Sequence, residues 1–286
     1  MMEIAGLLSF DVNVSIIFTE LPLLERPHAA ASVGFDSIEM WWPFTEPVPS
    51  GAEIERLLST LEEAGTHLVA LNFDAGDMAA GDRGLLSRSG HSARFQDNVD
   101  VAVEIARRTG CRLLNALYGN RDTEALPEEQ DEVALVNLLY AAKAADSIGA
   151  TVLIEALNEY ENPLYPLTSS GSALTVVEKA RHAGARNVGF LADLYHLALM
   201  GETPDSVLRV AGDRLAHIQI ADVPGRGEPG SGSLGVAGLL GPVERSGYTR
   251  PVGLEYRPSS ASENSFEWLN AYRGPGSALI DRRLQP

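Results

Sequence analysis

The chain has 286 residues, 39 of them acidic and 22 basic; its net charge of −17 argues against a nucleic-acid or anionic membrane partner, since both need a basic face. Its single cysteine, Cys111, rules out a disulfide framework and a cysteine-based metal site. The start of the chain has no basic region and no apolar run reaches ~18 residues, so we predict a cytoplasmic protein without a targeting segment.

One pattern recurs along the chain: an apolar-periodic helix, a glycine, and a short apolar run that ends in a polar residue. The glycines, which are expected to stop the helices in a left-handed conformation, are Gly34, Gly65, Gly110, Gly149, Gly184, Gly212 and Gly247. One predicted helix has Ile54, Leu57, Leu58 and Leu61 on its apolar face, and another has Val133, Val136, Leu139 and Ala142. The second helix is predicted to start near Pro127.

A strand-like run follows each glycine, in chain order DSIEM, THLVALN, CRLLNA, ATVLIEA, NVGFLAD, LAHIQIA and PVGLEY. With an opening strand near LLSFDVNV the chain has eight strands that alternate with helices. We therefore predict the α/β class and a single (β/α)8 TIM barrel, in one domain over residues 1–286. The rival interpretation is a doubly wound sheet with fewer strands.

The seven runs end in polar residues, each a carboxylate or a carboxamide: Glu39, Asn72, Asn115, Glu155, Asp193, Gln219 and Glu255. In a barrel these ends form one ring around the mouth that carries the active site. Loop starts are often polar, yet converging oxygen ligands without lysine, arginine or serine favour a site for a hard divalent cation.

The signal is strongest in the second half, where Glu155, Asp193, Gln219 and Glu255 follow one another at intervals of 38, 26 and 36 residues. About one βα unit separates each pair, so they are expected on strands 5 to 8. Three carboxylates and a carboxamide at one point would repel one another without a cation. Mg²⁺ or Mn²⁺ fits this set, whereas zinc would favour more histidine or cysteine.

The chain resembles the hydroxypyruvate isomerase family, within the xylose isomerase-like TIM barrels, along nearly its whole length. The resemblance is carried by SFDVNVSIIFTELPLLERP, SIEMWWPF and LNFDAGDMAAGDRG, and most specifically by HIQIADVPGRGEPGSG and GLEYRP. It implies that Glu155, Asp193, Gln219 and Glu255 are the metal ligands and that Glu155 and Glu255 are the paired acid/base carboxylates. His196 matches a histidine that contacts substrate oxygen in related isomerases.

The activity implied is a metal-dependent aldose–ketose isomerisation in carbohydrate metabolism. It would interconvert hydroxypyruvate and 2-hydroxy-3-oxopropanoate (tartronate semialdehyde) through a cis-enediolate. A proton must leave one carbon and return to its neighbour, which a cation and two carboxylates can accomplish. A substrate carboxylate needs a local cation in this acidic chain; the candidates are Arg83, Arg226 and Arg257, with Arg226 preferred because barrel enzymes often hold anions after strand 7.

Several alternatives remain open at this stage. A ketose 3-epimerase or a 2-oxo-tetronate-type isomerase would use the same scaffold. A DNA-repair nuclease would need more histidines and a basic face. A non-catalytic sugar-acid binding protein is the alternative that is not an enzyme. Barrels of this class often associate, so a homo-oligomer is kept open, and the loop at 73–93 could be a lid or a subunit contact. His217, two residues before Gln219, is expected to be a hydrogen-bonded core residue.

Overall fold

The computed structural model describes residues 8–273 and contains a closed barrel of eight parallel strands, which confirms the predicted (β/α)8 fold. Strand order around the barrel follows chain order, and the last strand pairs with the first. The strands are β1 (Phe10–Asn13), β2 (Ser37–Met40), β3 (His67–Asn72), β4 (Leu113–Asn115), β5 (Thr151–Glu155), β6 (Val188–Asp193), β7 (Leu215–Ile220) and β8 (Val252–Leu254).

Helices connect successive strands and cover the outside of the barrel. They are α1 (Arg26–Ser32), α2 (Gly51–Ala64), α3 (Ser92–Thr109), α4 (Pro127–Asp146), α5 (Ser170–His182), α6 (Leu194–Leu199), α7 (Pro204–Ala211), α8 (Gly235–Ser246) and α9 (Trp268–Arg273). All seven predicted helix-stop glycines have positive φ. Within residues 8–273, none of the helices is long and apolar enough to cross a bilayer.

Helix α4 and its start at Pro127 are confirmed, and Ala142 of its predicted apolar face is buried, but the prediction is wrong for Val136. Val136 is 62% exposed, and the residues that face the barrel include Ala134, Leu138, Ala141 and Ala145. Alanines have no long side chain, so this helix can lie close to the sheet. The prediction failed for Val136 because the spacing of large apolar residues does not by itself show which side of the helix faces the sheet.

Strand alternation places two layers of side chains inside the barrel. Residues two apart on a strand point to the same side. A small apolar layer lies deeper, formed by Ala70, Leu113, Leu153, Leu191 and Ala216. Asn115, Glu155 and Asp193 lie two residues farther along β4, β5 and β6, so they point into the barrel one layer above the apolar residues. The polar ring at the mouth therefore follows from strand alternation.

Candidate active site

The four predicted ligands lie at the carboxyl-terminal mouth of the barrel. Glu155 and Asp193 are the last residues of β5 and β6, Gln219 lies one residue before the end of β7, and Glu255 follows β8 directly. Each is at most 5% exposed. Carboxylate oxygens of Glu155 and Asp193 and a ring nitrogen of His196 lie within 4.8 Å of one another. The mouth opens into a cavity of about 340 Å³ that Glu155, Glu255 and His196 help to line.

Glu255 is held by groups from three parts of the barrel. Its Oε1 accepts hydrogen bonds from Asn13 Nδ2 at 2.9 Å and from Trp41 Nε1 at 2.8 Å. Its Oε2 accepts from Arg226 Nη2 at 2.9 Å, and the same guanidinium nitrogen lies 3.3 Å from Asp193 Oδ2. Both oxygens of this carboxylate are therefore fixed in direction before any substrate arrives.

Burial disfavours the charged forms of these carboxyl groups. Removal from water, followed by the negative charge of Asp193, raises the pKa of Glu155 to about 8. Burial likewise raises the pKa of Glu255 well above its ordinary value, against the opposing charge of Arg226. The pKa of Asp193 is raised for the same first reason. A site in which burial raises the pKa of several neighbouring acids is typical of a cation site or a proton-transfer site.

Gln219 is oriented by a buried carboxylate on the neighbouring side of the barrel. Its Nε2 donates to Glu39 Oε1 at 2.7 Å, and Glu39 Oε2 lies 2.8 Å from His217 Nε2. With the amide nitrogen engaged, Gln219 Oε1 is buried without a hydrogen-bond partner among the described residues. Gly253 makes room for this pair, because a Cβ there would lie 2.9 Å from both Gln219 Cγ and Glu39 Oε1. His217 is a hydrogen-bonded core residue, as predicted.

These residues fit a divalent cation. The donors are three carboxylates and the carboxamide oxygen of Gln219. Buried polar atoms normally have a partner, and this oxygen has none among the described residues, as expected of an atom that binds an ion. Oxygen donors of this kind suit hard cations such as Mg²⁺ or Mn²⁺ better than zinc. The structure brings Glu155 and Asp193 together with His196, whereas the joint binding of an ion by Glu155, Asp193, Gln219 and Glu255 stays a prediction.

His196 presents a neutral imidazole to the cavity. Its Nδ1 accepts a hydrogen bond from the backbone N–H of Asn158 at 3.1 Å, so the ring proton resides on Nε2. Burial, followed by the positive charges of Arg226, Arg83 and Arg257, lowers the pKa of His196 well below its ordinary value. The ring is thus a hydrogen-bond donor through Nε2 rather than a cation.

All three candidate arginines line the cavity, but they differ in their partners. Arg226 is 8% exposed and bonded to Asp193 and Glu255. Arg83 is half-buried on the loop after β3, whereas Arg257 is exposed beyond β8. The expectation that Arg226 binds a substrate carboxylate stays a prediction, and its guanidinium already has two carboxylate partners.

The sequence interpretation did not predict how three further residues position the site. Asn13 ends β1 and was a detectable eighth member of the polar ring, because it closes the one strand for which no end residue was assigned. Glu39 was recognised as a strand end but not as the partner of Gln219. Trp41, two residues after Glu39, donates to Glu255, which no local pattern indicates.

Comparisons with known proteins identify the family of this chain. The family model described as xylose isomerase-like TIM barrel matches residues 27–272. A Streptomyces coelicolor protein provisionally named a hydroxypyruvate isomerase is 51% identical over 92% of this chain and 95% of its own. The hydroxypyruvate isomerase of Escherichia coli is 33% identical over 93% and 100%, and a 2-oxo-tetronate isomerase of Haemophilus influenzae is 29% identical over 92% and 99%.

A solved structure has the same fold. The crystal structure described as an AP endonuclease, family 2, from Brucella melitensis has a TM-score of 0.84 and 32% sequence identity. The match covers 94% of this chain and all of that one. The fold of this chain therefore has a solved counterpart over 94% of its length.

Proposed function

We propose that this chain, an isomerase that belongs to the hydroxypyruvate isomerase family of xylose isomerase-like TIM barrels, interconverts hydroxypyruvate and 2-hydroxy-3-oxopropanoate. One observation carries the proposal: Glu155 and Glu255 line one cavity at the ends of strands 5 and 8, and a carboxylate oxygen of Asp193 lies within 4.8 Å of one of Glu155. Near the end of β7, Gln219 Oε1 is buried without a hydrogen-bond partner among the described residues. This is the arrangement that proton transfer between two adjacent carbons requires.

A divalent cation, Mg²⁺ or Mn²⁺, held by Glu155, Asp193, Gln219 and Glu255, would supply Lewis-acid polarisation of the substrate's carbonyl and hydroxyl oxygens. The protein side of the reaction is set by its own residues. One of Glu155 and Glu255 removes the proton from the hydroxymethyl carbon, which leaves a cis-enediolate. The other supports its protonation at the neighbouring carbon. The hydroxyl proton moves from the oxygen on the first carbon to the former carbonyl oxygen, so an aldehyde and a new hydroxyl group result. Burial makes either carboxylate, once deprotonated, a stronger base than it is in water.

His196 and the arginines are assigned to substrate binding. The Nε2–H of neutral His196 donates to a substrate oxygen, because Nδ1 is already engaged with Asn158. Arg257 attracts the carboxylate of the substrate. The sequence analysis assigns the same role to Arg226. Arg226 also keeps Asp193 and Glu255 close despite their like charges. Apolar side chains of Trp41, Leu117 and Leu157 line the same cavity, and they would limit access of water to the carbon that exchanges.

The partner is a free small molecule, and we place the reaction in the cytoplasm. A net charge of −17 opposes binding to nucleic acid. His196 is the one histidine that lines this cavity within residues 8–273, which opposes a multi-metal nuclease site. Cys111 is buried and unpaired, as a reducing compartment permits.

Proton NMR in D₂O tests the proposal. Purified protein, with Mg²⁺ or Mn²⁺, should incorporate deuterium at the hydroxymethyl carbon of hydroxypyruvate and produce tartronate semialdehyde. Chelation should stop both processes and added metal should restore them. The proposal is refuted if neither signal appears.

A 2-oxo-tetronate is the second candidate substrate, because a relative with that name aligns over nearly the whole chain. The chemistry and the residues would be the same, with one further hydroxymethyl unit in the cavity. Turnover of 2-oxo-tetronate with kcat/KM above that of hydroxypyruvate would favour this alternative. Exchange at C3 of free ketoses alone would favour an epimerase.

A further inference from the structure

The backbone around Arg83 is fixed against a neighbouring loop. The loop that carries it is joined to the loop after β4, since Gly119 N donates to the carbonyl of Arg83 at 3.0 Å and Ser87 N to that of Tyr118 at 2.8 Å. Gly84 has φ +105° and lies so close to the β4 loop that a Cβ would be 2.0 Å from Leu117 O. The loop is therefore packed against the barrel at the position from which Arg83 extends.

The guanidinium of Arg83 is also held in place without being neutralised. Its Nε donates to Asn162 Oδ1 at 2.6 Å, and its Nη1 donates to the carbonyls of Met78 and Asp82. All three acceptors are uncharged. The nearest acid in sequence, Asp82, has its carboxylate 3.7 Å from Arg88 instead. Nη2 of Arg83 has no hydrogen-bond partner in the described part of the chain.

Arg257 supplies a second cation without a carboxylate partner. It lines the cavity beyond β8, and its side chain makes no hydrogen bond or ion pair with another described residue. Its backbone N–H donates to Arg226 O at 2.7 Å, which fixes where the side chain begins. The charges of both Arg83 and Arg257 help to lower the pKa of His196, so both act on the same cavity.

We propose that Arg83 and Arg257 form the subsite for the substrate's carboxylate, and that Arg83 thereby determines specificity for 2-oxo acids over neutral sugars. The inference rests on the proposed function and departs from it on one point, because Arg226 is assigned to the internal carboxylates alone. A guanidinium with free N–H groups binds a carboxylate through charge-assisted hydrogen bonds.

The acid that shares this cavity makes such a subsite necessary. Glu161 also lines the cavity, with Oε2 accepting from Asn158 Nδ2 and Oε1 3.3 Å from the hydroxyl of Tyr195. Together with Glu155 and Glu255 it would repel an anionic substrate. Arg83 and Arg257 lie on this cavity as the cations without a carboxylate partner in the described residues, so they set where a carboxylate can be placed.

The test compares two substrates that differ at one group. Dihydroxyacetone has the same hydroxyketone as hydroxypyruvate, with a hydroxymethyl group in place of the carboxylate. We expect Arg83→Met and Arg257→Met each to lower kcat/KM for hydroxypyruvate by ~10-fold to ~100-fold, and to change that for dihydroxyacetone less than about threefold. Arg56→Met, on the exposed face of α2, removes the same charge elsewhere and should leave both values unchanged.

Calorimetric titration with tartronate, a dicarboxylate that cannot isomerise, gives a readout independent of turnover. Arg83→Met should weaken its binding at least about tenfold. An equal loss of kcat/KM for both substrates, or unchanged kcat/KM values, would overturn the proposed subsite. The proposed function would still stand as long as the wild type turns over hydroxypyruvate. If the wild type turns over neither substrate, the proposed function fails, and tartronate binding alone then decides the subsite. Should Arg83→Met not fold, Arg257→Met answers the question, because that side chain has no partner within residues 8–273.

Discussion

Exchange of Glu39 for glutamine should weaken binding of Mn²⁺ although Glu39 is not among the proposed ligands. The carboxylate of Glu39 accepts from Gln219 on one oxygen and faces His217 on the other. A glutamine has one oxygen and one NH₂ group at these two positions. If its oxygen keeps His217, its NH₂ faces the amide nitrogen of Gln219. Gln219 must then rotate and direct its own NH₂ toward the mouth.

The magnitude follows from the role of Gln219. Rotation would replace a carboxamide oxygen by an N–H donor at one of four proposed ligand positions. Loss of a group that orients a metal ligand typically weakens metal binding by ~10-fold to ~100-fold, or about 1.4 to 2.7 kcal/mol. The affected atom, Gln219 Oε1, is buried without another partner within residues 8–273, so no neighbour holds the original orientation.

Electron paramagnetic resonance of free Mn²⁺ measures this directly, without any assay of turnover. Glu63→Gln is the matched control, since it makes the same chemical change on an exposed position of α2. Circular dichroism and the melting temperature in the absence of metal would show that both variants fold. A dissociation constant for Glu39→Gln within twofold of the wild-type value would refute the proposed orientation of Gln219.

Three further predictions concern the catalytic pair, a buried acid and a packed glycine. Glu155→Gln and Glu255→Gln should each lower isomerase kcat by at least ~100-fold, because each removes one proton-transfer group; near-normal rates in the NMR assay for either would contradict its role. Asp11 is fully buried, and burial followed by the charge of Glu39 raises its pKa to about 8, so the stability present at low pH is lost as pH rises toward 8. Urea unfolding between pH 5 and 8 should show that Asp11→Asn removes a slope of up to about 1.4 kcal/mol per pH unit, and parallel curves for the two proteins would exclude this explanation. Gly84→Ala should lower the free energy of unfolding by about 1 to 3 kcal/mol more than Gly81→Ala, because both glycines have φ +105° but only at Gly84 does a Cβ collide with backbone; equal losses would mean that the close approach is unimportant.

Much of the barrel could be predicted from local patterns of the sequence. The glycines after each helix, such as Gly65 and Gly110, stop helices because a left-handed residue is a property of a few neighbouring positions. Polar residues at the ends of buried strands predicted the mouth, since parallel strands all end on one rim. The same local reasoning failed for Val136 of α4, because apolar spacing along a helix does not show which side the sheet covers; Ala134 and Ala141 are buried there instead.

The sequence by itself determined the fold class, the residues at the mouth and the oxygen-rich character of the site, because strand alternation and βα spacing are short-range. Only the tertiary structure decided what those residues touch. Glu39 and Gln219 are 180 positions apart, yet they meet because β2 and β7 face one closed interior. Arg226 and Arg83 are indistinguishable as residue types. Arg226 lies between Asp193 and Glu255, whereas one guanidinium nitrogen of Arg83 has no partner within residues 8–273. Charge and spacing place a side chain on the rim, whereas the partners that determine its chemistry come from strands and loops that are far away in the chain.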